Sequence, residues 1–187
     1  HGQIFNASEI AKSLGVSDHT VQRYLDLLSG TFMVRQLRPW HYNTKKRIIK
    51  RPKIYFRDTG ILHALFALEN KKNVLTHPKL GASWEGFALE ETVKAIGLKE
   101  NETFFWGVHA AAEVDLVFQR NGQLYGVEVK YAQAPGLTSS MRMACDEMAL
   151  KHLWVIYPGN KTYALDRHVS VLPLNQLDLL SFEKNNP

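Results

Sequence analysis

The residues best suited to chemistry fall in one short stretch, AEVDLVFQRNGQLYGVEVKYA. Its centre, Asn121-Gly122, is the dipeptide preferred in a two-residue type I′ hairpin turn, where both positions need positive φ. That turn places Arg120 opposite Gln123 and fixes the register of the whole hairpin. Val114, Leu116 and Phe118 then meet Val129, Val127 and Tyr125 on an apolar face. On the other face Asp115 lies opposite Glu128, and Glu113 opposite Lys130. Like charges directly opposite destabilise a strand pair. Two carboxylates within roughly 5 Å, with a Lys two residues along, can hold a divalent metal ion and a water. Solvent exposure, with Lys130 and Glu113 softening the repulsion, is the other reading the hairpin leaves open.

A third carboxylate belongs to a helix expected over residues 81–97. At about 100° per residue, Trp84, Ala88, Leu89, Thr92, Val93, Ala95 and Ile96 fill one broad arc with Glu85 in its middle. Glu90 and Lys94 mark the wet side, and Phe87 falls near them unexplained. A carboxylate at the centre of a buried face is costly unless paired. A Lys or Arg, a metal ion, or a Lys across an active site would serve.

These side chains need a scaffold, and the rest of the chain outlines one. Asn6 reads as an N-cap with Glu9 as its capping-box partner. Ile10, Ala11 and Leu14 follow at helical spacing, and Gly15 stops the helix. Ser17 is a second N-cap, followed by Val21, Tyr24, Leu25 and Leu28, with Gly30 at the end. Two short helices across a Gly-containing turn form a helix-turn-helix. TFMVRQL and Lys53–Phe56 read as strands flanking a basic loop, a wing. The exposed face of the second helix offers Asp18, His19, Gln22, Arg23 and Asp26, and in such modules that face enters the major groove. Protein docking through the wing is the alternative, since two acids complement phosphate poorly. Residues 57–68 suggest a short helix, and 69–79 a polar linker holding the domain boundary. After the hairpin, 139–150 reads as a helix, HLWVIY and 168–172 as strands, and 174–180 as a terminal helix.

Composition bounds the function. The 187 residues are 45% hydrophobic and 22% charged, ordinary for a globular protein with a real core. No run is apolar enough for a membrane span. The start, HGQIFNASEI, lacks an initiator Met and a signal-peptide pattern, so the chain is expected to begin inside a longer protein. The single Cys145 excludes an internal disulfide and a multi-Cys zinc site, and a reducing, cytoplasmic home is expected. Cys145 itself reads as a packing residue. Net charge is +5, but nine Lys or Arg and no acid lie between Arg35 and Arg57, leaving the remainder net negative. Such a strip suits a polyanion, and Arg23, Lys45, Lys46, Arg47, Lys50 and Arg51 are the candidate nucleic-acid contacts. A solvated loop or a docking face for an acidic protein is the bland alternative. His41, His63, His77, His109, His152 and His168 show no paired metal spacing. Gly159-Asn-Lys-Thr162 lacks the leading Gly and the Gly-Lys pair of a P-loop, so no ATP site is expected here.

A helix Glu, a strand Asp and Glu-x-Lys on the next strand resemble the PD-(D/E)XK nuclease superfamily. Lys79-Leu-Gly-Ala-Ser-Trp-Glu-Gly-Phe87, Ala112-Glu-Val-Asp-Leu116 and Val127-Glu-Val-Lys130 resemble a narrower group, the uncharacterised domain that follows the ATPase domain in many prokaryotic AAA+ type ATPases. Lys53-Ile-Tyr-Phe-Arg-Asp-Thr-Gly60 and Val16-Ser-Asp-His-Thr-Val-Gln-Arg-Tyr-Leu25 extend the resemblance over about residues 3–175. Where those relatives often carry Arg-Asp ahead of Glu-Val-Asp, this chain reads Trp106-Gly-Val-His-Ala-Ala-Ala112.

The resemblance implies an α+β chain: a winged helix-turn-helix over 1–70, then an α/β PD-(D/E)XK nuclease-like domain over 71–187. It implies catalytic roles for Glu85, Asp115, Glu128 and Lys130. Asp115 and Glu128 would ligate Mg²⁺, Glu85 would support the metal or its water, and Lys130 would orient or deprotonate the attacking water. ATP would bind only in the parent's N-terminal ATPase domain, itself an expected partner. The implied role is a DNA-related accessory region with a nuclease-like site. The alternative is a catalytically inactive module that senses a protein partner.

Overall fold

The computed structural model describes residues 1–40, 49–108 and 112–180. Lys45, Lys46, Arg47, His41 and His109 lie outside the described residues. The chain is a mixed α and β protein whose packing divides it into two units. One comprises His1–Arg38 and Lys50–Phe87, the other Pro39–Ile49 and Ala88 onward, so the division falls inside a helix.

In the first unit, β1 (Gln3–Ile4) precedes helices α1 (Ala7–Leu14) and α2 (Asp18–Gly30), and then strands β2 (Val34–Pro39) and β3 (Lys53–Phe56). Gly15 ends α1 in the left-handed conformation, and Ser17 caps α2 by accepting the Thr20 N–H at 3.1 Å, both as the sequence predicts. The reciprocal capping box at α1 is not made. Asn6 Nδ2 instead donates to the Glu9 carboxylate at 3.2 Å, joining the two side chains rather than satisfying backbone N–H groups. The expected buried stripe is also narrower than its periodicity. Ala11, Val21 and Leu25 are buried, while Ile10, Leu14, Tyr24 and Leu28 are exposed. Two short helices and a thin sheet offer too little surface to cover every apolar position.

β2 and β3 pair antiparallel, Val34 with Phe56 through Leu37 with Lys53, and β1 adds to the far edge of β3. Two members of the basic strip turn inward: Arg35 and Lys53 are buried. Helix α3 (Thr59–Leu65) is capped by Asp58. The expected linker holds a further helix, α4 (Lys71–Thr76), whose N-terminus is capped by the Asn70 side chain. A polar composition hid it because its faces need no buried stripe.

Helix α5 (Leu80–Ile96) matches the prediction, but its wet side does not. Glu90 is buried, whereas Ala95 is exposed. Buried positions Ser83, Gly86, Glu90 and Val93 form a second covered line beside Ala88, Leu89 and Thr92. A wheel drawn with one buried face fails for a helix covered on two.

The second unit holds β4 (Phe104–Val108), β5 (Ala112–Arg120), β6 (Gln123–Val129), α6 (Ser139–Met148), β7 (His152–Tyr157), β8 (Tyr163–Asp166) and β9 (Val169–Pro173). Short 3₁₀ helices run over Glu100–Glu102 and Leu174–Leu180, the latter kinked at Gln176 where a terminal helix was expected. The strand order is β4-β5-β6-β7-β9-β8. The β4, β5 and β6 strands are antiparallel neighbours, β6, β7 and β9 run parallel, and β8 turns back on β9. Joining parallel β6 to β7 requires a crossover, and α6 supplies it. Met141, Ala144 and Met148 of α6 pack with Val117, Leu153, Val155, Val169 and Val171 as the core on that face.

Candidate functional site

The hairpin that carries the acids forms as its turn dictates. Asn121 and Gly122 take φ of 51° and 73°, and Arg120 pairs with Gln123, Phe118 with Tyr125 and Leu116 with Val127. The ladder then stops, one pair short of Asp115 and Glu128. β6 continues along β7, with Glu128 beside Val155 and the Lys130 N–H donating to Ile156 O at 2.9 Å. β5 continues along β4, with Trp106 beside Val114 and Gly107 beside Glu113.

The two strands part at a β-bulge. On β4 a single residue, Phe105, separates the Phe104–Val117 pair from the Trp106–Val114 pair, while β5 spends two, Asp115 and Leu116. Such a bulge re-aims side chains and ends regular pairing. One expectation is corrected by it: Val114 does not share the face of Leu116 and Phe118. It packs instead with Val117 in the α6 cluster. The extra residue advances the side-chain alternation by one, which hydrophobic alternation alone cannot reveal.

The bulge also gives Asp115 new work. Its Oδ2 accepts the Val129 N–H at 2.8 Å, replacing the backbone partner that strand pairing would have provided. Asp115 and Glu128 are both buried, at 6% and 7% exposure, so the solvent-exposed reading of the pair fails. Lys130 Nζ lies 2.6 Å from Glu128 Oε1 and remains 43% exposed. Glu128 Oε2 is buried without a hydrogen-bond partner among the described residues. Burial first, then the Asp115 charge, push the Glu128 carboxyl up to about 8, with Lys130 pulling the other way. Ser140 at the start of α6 holds the approach by accepting the Glu113 N–H at 3.2 Å.

Glu85, in the first unit, has local partners. Tyr55 Oη donates to its Oε1 at 2.5 Å, and Lys53 Nζ lies 3.4 Å from the same oxygen. Lys53 and Tyr55 are i and i+2 on β3, so both project to one side. Of the candidate polyanion contacts, Arg23, Lys50 and Arg51 are exposed. Asp26 on the same helix is tied to Gln22 and Gln36. Among the described residues no group of three or more His, Cys, Asp or Glu is arranged to hold a metal ion.

The matches to known sequences bear on this arrangement. Residues 80–177, the span containing Asp115, Glu128 and Lys130, match a domain of unknown function (DUF4143). The chain belongs to that family. Residues 1–72 match a second domain of unknown function (DUF8612). Uncharacterized proteins of Mycobacterium tuberculosis and Mycobacterium bovis are each 42% identical over 177 residues, 95% of this chain. The chain spans about 40% of the length of those relatives. No solved structure matches.

The remaining sequence candidates resolve locally. His63 pairs with Ser83, His77 stacks on Phe66, His152 pairs with Ser170, and His168 meets the Lys151 carbonyl. Gly159-Asn-Lys-Thr162 is a turn pinned by Tyr157 Oη, which contacts both the N–H and the carbonyl of Lys161. Cys145 is half-buried in the α6 core, and burial raises its thiol to about 11, with Asp146 and Asp166 adding to the rise. No helix among the described residues is long and apolar enough to cross a membrane.

Proposed function

We propose that this DUF4143-family chain is the C-terminal part of a prokaryotic AAA+ type ATPase, in which Asp115, Glu128 and Lys130 form a nuclease-like, Mg²⁺-assisted phosphodiesterase site. One observation carries the reading. The strand ladder breaks at a bulge and leaves two buried carboxylates, one with an unsatisfied oxygen, beside a Lys open to solvent. A purely structural hairpin gains nothing from burying two acids at that cost.

Mg²⁺ fits the donor set, because it favours hard oxygen ligands and commonly takes one or two protein carboxylates with the remainder from water and substrate phosphate. Asp115 and Glu128 would hold it. When bound, it offsets the negative charge that builds on a phosphodiester during hydrolysis. Lys130 positions the attacking water from the open side and neutralises Glu128. Asp115, locked by the Val129 N–H, cannot swing away from its partner. No role in this site is assigned to Glu85, whose Oε1 accepts from Tyr55 and Lys53 in the first unit. In the first unit, α1, α2 and the β2–β3 hairpin are read as a winged helix, with Arg23, Lys50 and Arg51 facing nucleic acid.

Calorimetry with Mg²⁺ or Mn²⁺ on the wild type and Asp115→Ala, paired with plasmid nicking, tests the proposal. Binding and nicking should both disappear in the variant. Failure of the wild type to bind metal at millimolar concentration refutes it. A second reading, an inactive module that docks protein, draws on the outer face of α2. There Tyr24 and Leu27 are more than 60% exposed beside Arg23, a surface more apolar than a phosphate-facing helix requires.

A further inference from the structure

The carboxylate pair depends on a stretch of β5 that regular strand pairing holds along one edge only. Beyond the Leu116–Val127 pair the ladder to β6 ends, while β4 keeps Gly107 beside Glu113 and Val108 beside Ala112. Main-chain N–H groups released by such a break need other acceptors. Side chains supply them on both strands. On β6 the Val129 N–H donates to Asp115 Oδ2 at 2.8 Å, and on β5 the Glu113 N–H donates to Ser140 Oγ at 3.2 Å. The first contact joins the Asp115 carboxylate to β6. The second joins the backbone two residues before Asp115 to a helix.

Ser140 is well placed to act as an anchor. It is the second residue of α6, and Thr138 caps that helix by accepting the Met141 N–H at 3.2 Å, so the first turn is ordered. Met141 and Ala144 are buried in the core beneath, and α6 cannot shift without opening packed contacts. Between the two tethers lies the bulge, where Asp115 and Leu116 stand against Phe105 alone. That is where β5 would otherwise give.

Given Asp115 and Glu128 as the metal ligands proposed above, on which this inference rests, we propose that Ser140 is a positioning residue for the site. Acting through the Glu113 N–H, it sets where β5 presents the Asp115 carboxylate to Glu128. Ser140 itself touches neither metal nor substrate. Metal donors tolerate displacements of only about 0.2 Å. Removing a group that orients a ligand lowers metal affinity roughly 10- to 100-fold.

The test is calorimetric titration of the 187-residue chain with Mn²⁺, with amide hydrogen exchange measured in metal-free buffer. Ser140→Ala should bind Mn²⁺ about tenfold more weakly than the wild type or worse, whereas Ser140→Thr, which keeps the hydroxyl, should stay within about threefold. Met143→Ala trims the packing of the same helix without touching the tie, and should bind as the wild type does. In the metal-free wild type the Glu113 amide should be protected from exchange, and at least about tenfold less protected in Ser140→Ala. Wild-type affinity in Ser140→Ala overturns the proposal while leaving the metal site standing. So does a Met143→Ala protein as weak as Ser140→Ala, which would trace the loss to helix stability, or a Thr variant that fails to restore binding. An unprotected Glu113 amide in the wild type overturns it without recourse to any variant, and so decides even if Ser140→Ala does not fold. A wild type that binds no Mn²⁺ at millimolar concentration refutes the metal site itself, and the role of Ser140 with it.

Discussion

Replacing Glu128 by Gln in metal-free buffer should change how the protein's stability depends on pH. The carboxyl moves from an ordinary 4.5 to about 8 on folding because it is buried and faces Asp115. Between those values the folded chain binds a proton that the unfolded chain has lost. Stability is therefore full below pH 4.5 and declines as pH rises through about 8. At ~1.4 kcal/mol per unit the ceiling on that decline is about 5 kcal/mol. The pull of Lys130, 2.6 Å away, is already contained in that value, and relaxation of the surroundings around the ionised carboxylate lowers the decline to a working figure of roughly 3 kcal/mol. Gln keeps the shape and cannot ionise. Urea unfolding in EDTA should find the two proteins within about 1 kcal/mol at pH 5, with the Gln variant ahead by roughly 3 kcal/mol at pH 9. Stability curves that run parallel from pH 5 to 9 would refute the reasoning, because a Glu128 that ionises without cost is not the buried, half-satisfied group described above.

Three further outcomes are expected. Gly122→Ala places a Cβ at φ of 73° in the hairpin turn, and thermal or urea unfolding should register a loss of about 1 kcal/mol. Ser17→Ala removes the acceptor for the Thr20 N–H at the start of α2, again about 1 kcal/mol by urea titration. Cys145, with its thiol raised two units from 9.0 to about 11, should alkylate at pH 8 on the order of 100-fold more slowly than after unfolding in urea.

The hairpin was legible because its information is local. Asn121-Gly122 dictates the turn, the turn dictates register, and register places Asp115 and Glu128 near one another. The spans of α5, β3 and β7 were readable for the same reason, from runs and periodic spacing of apolar residues. Burial was less legible. Glu90, Arg35 and Lys53 are polar by type and lie inside, while Tyr24 and Leu28 keep helical spacing and lie outside. Which side of an amphipathic element is covered depends on what arrives from elsewhere in the chain.

The sequence by itself determined the turn, the places of α6, β7 and β9 after it though not β8, and which acidic and basic residues are available for chemistry, all properties of near neighbours. The tertiary structure alone decided that β5 bulges at Asp115, that β7 joins the other edge of β6, and that Glu85 answers to Lys53 and Tyr55. Each of those depends on backbone hydrogen bonds or ion pairs with distant strands. Which strand joins each edge is settled by which pairing buries more surface and satisfies more N–H groups, a comparison that exists only once the sheet is assembled.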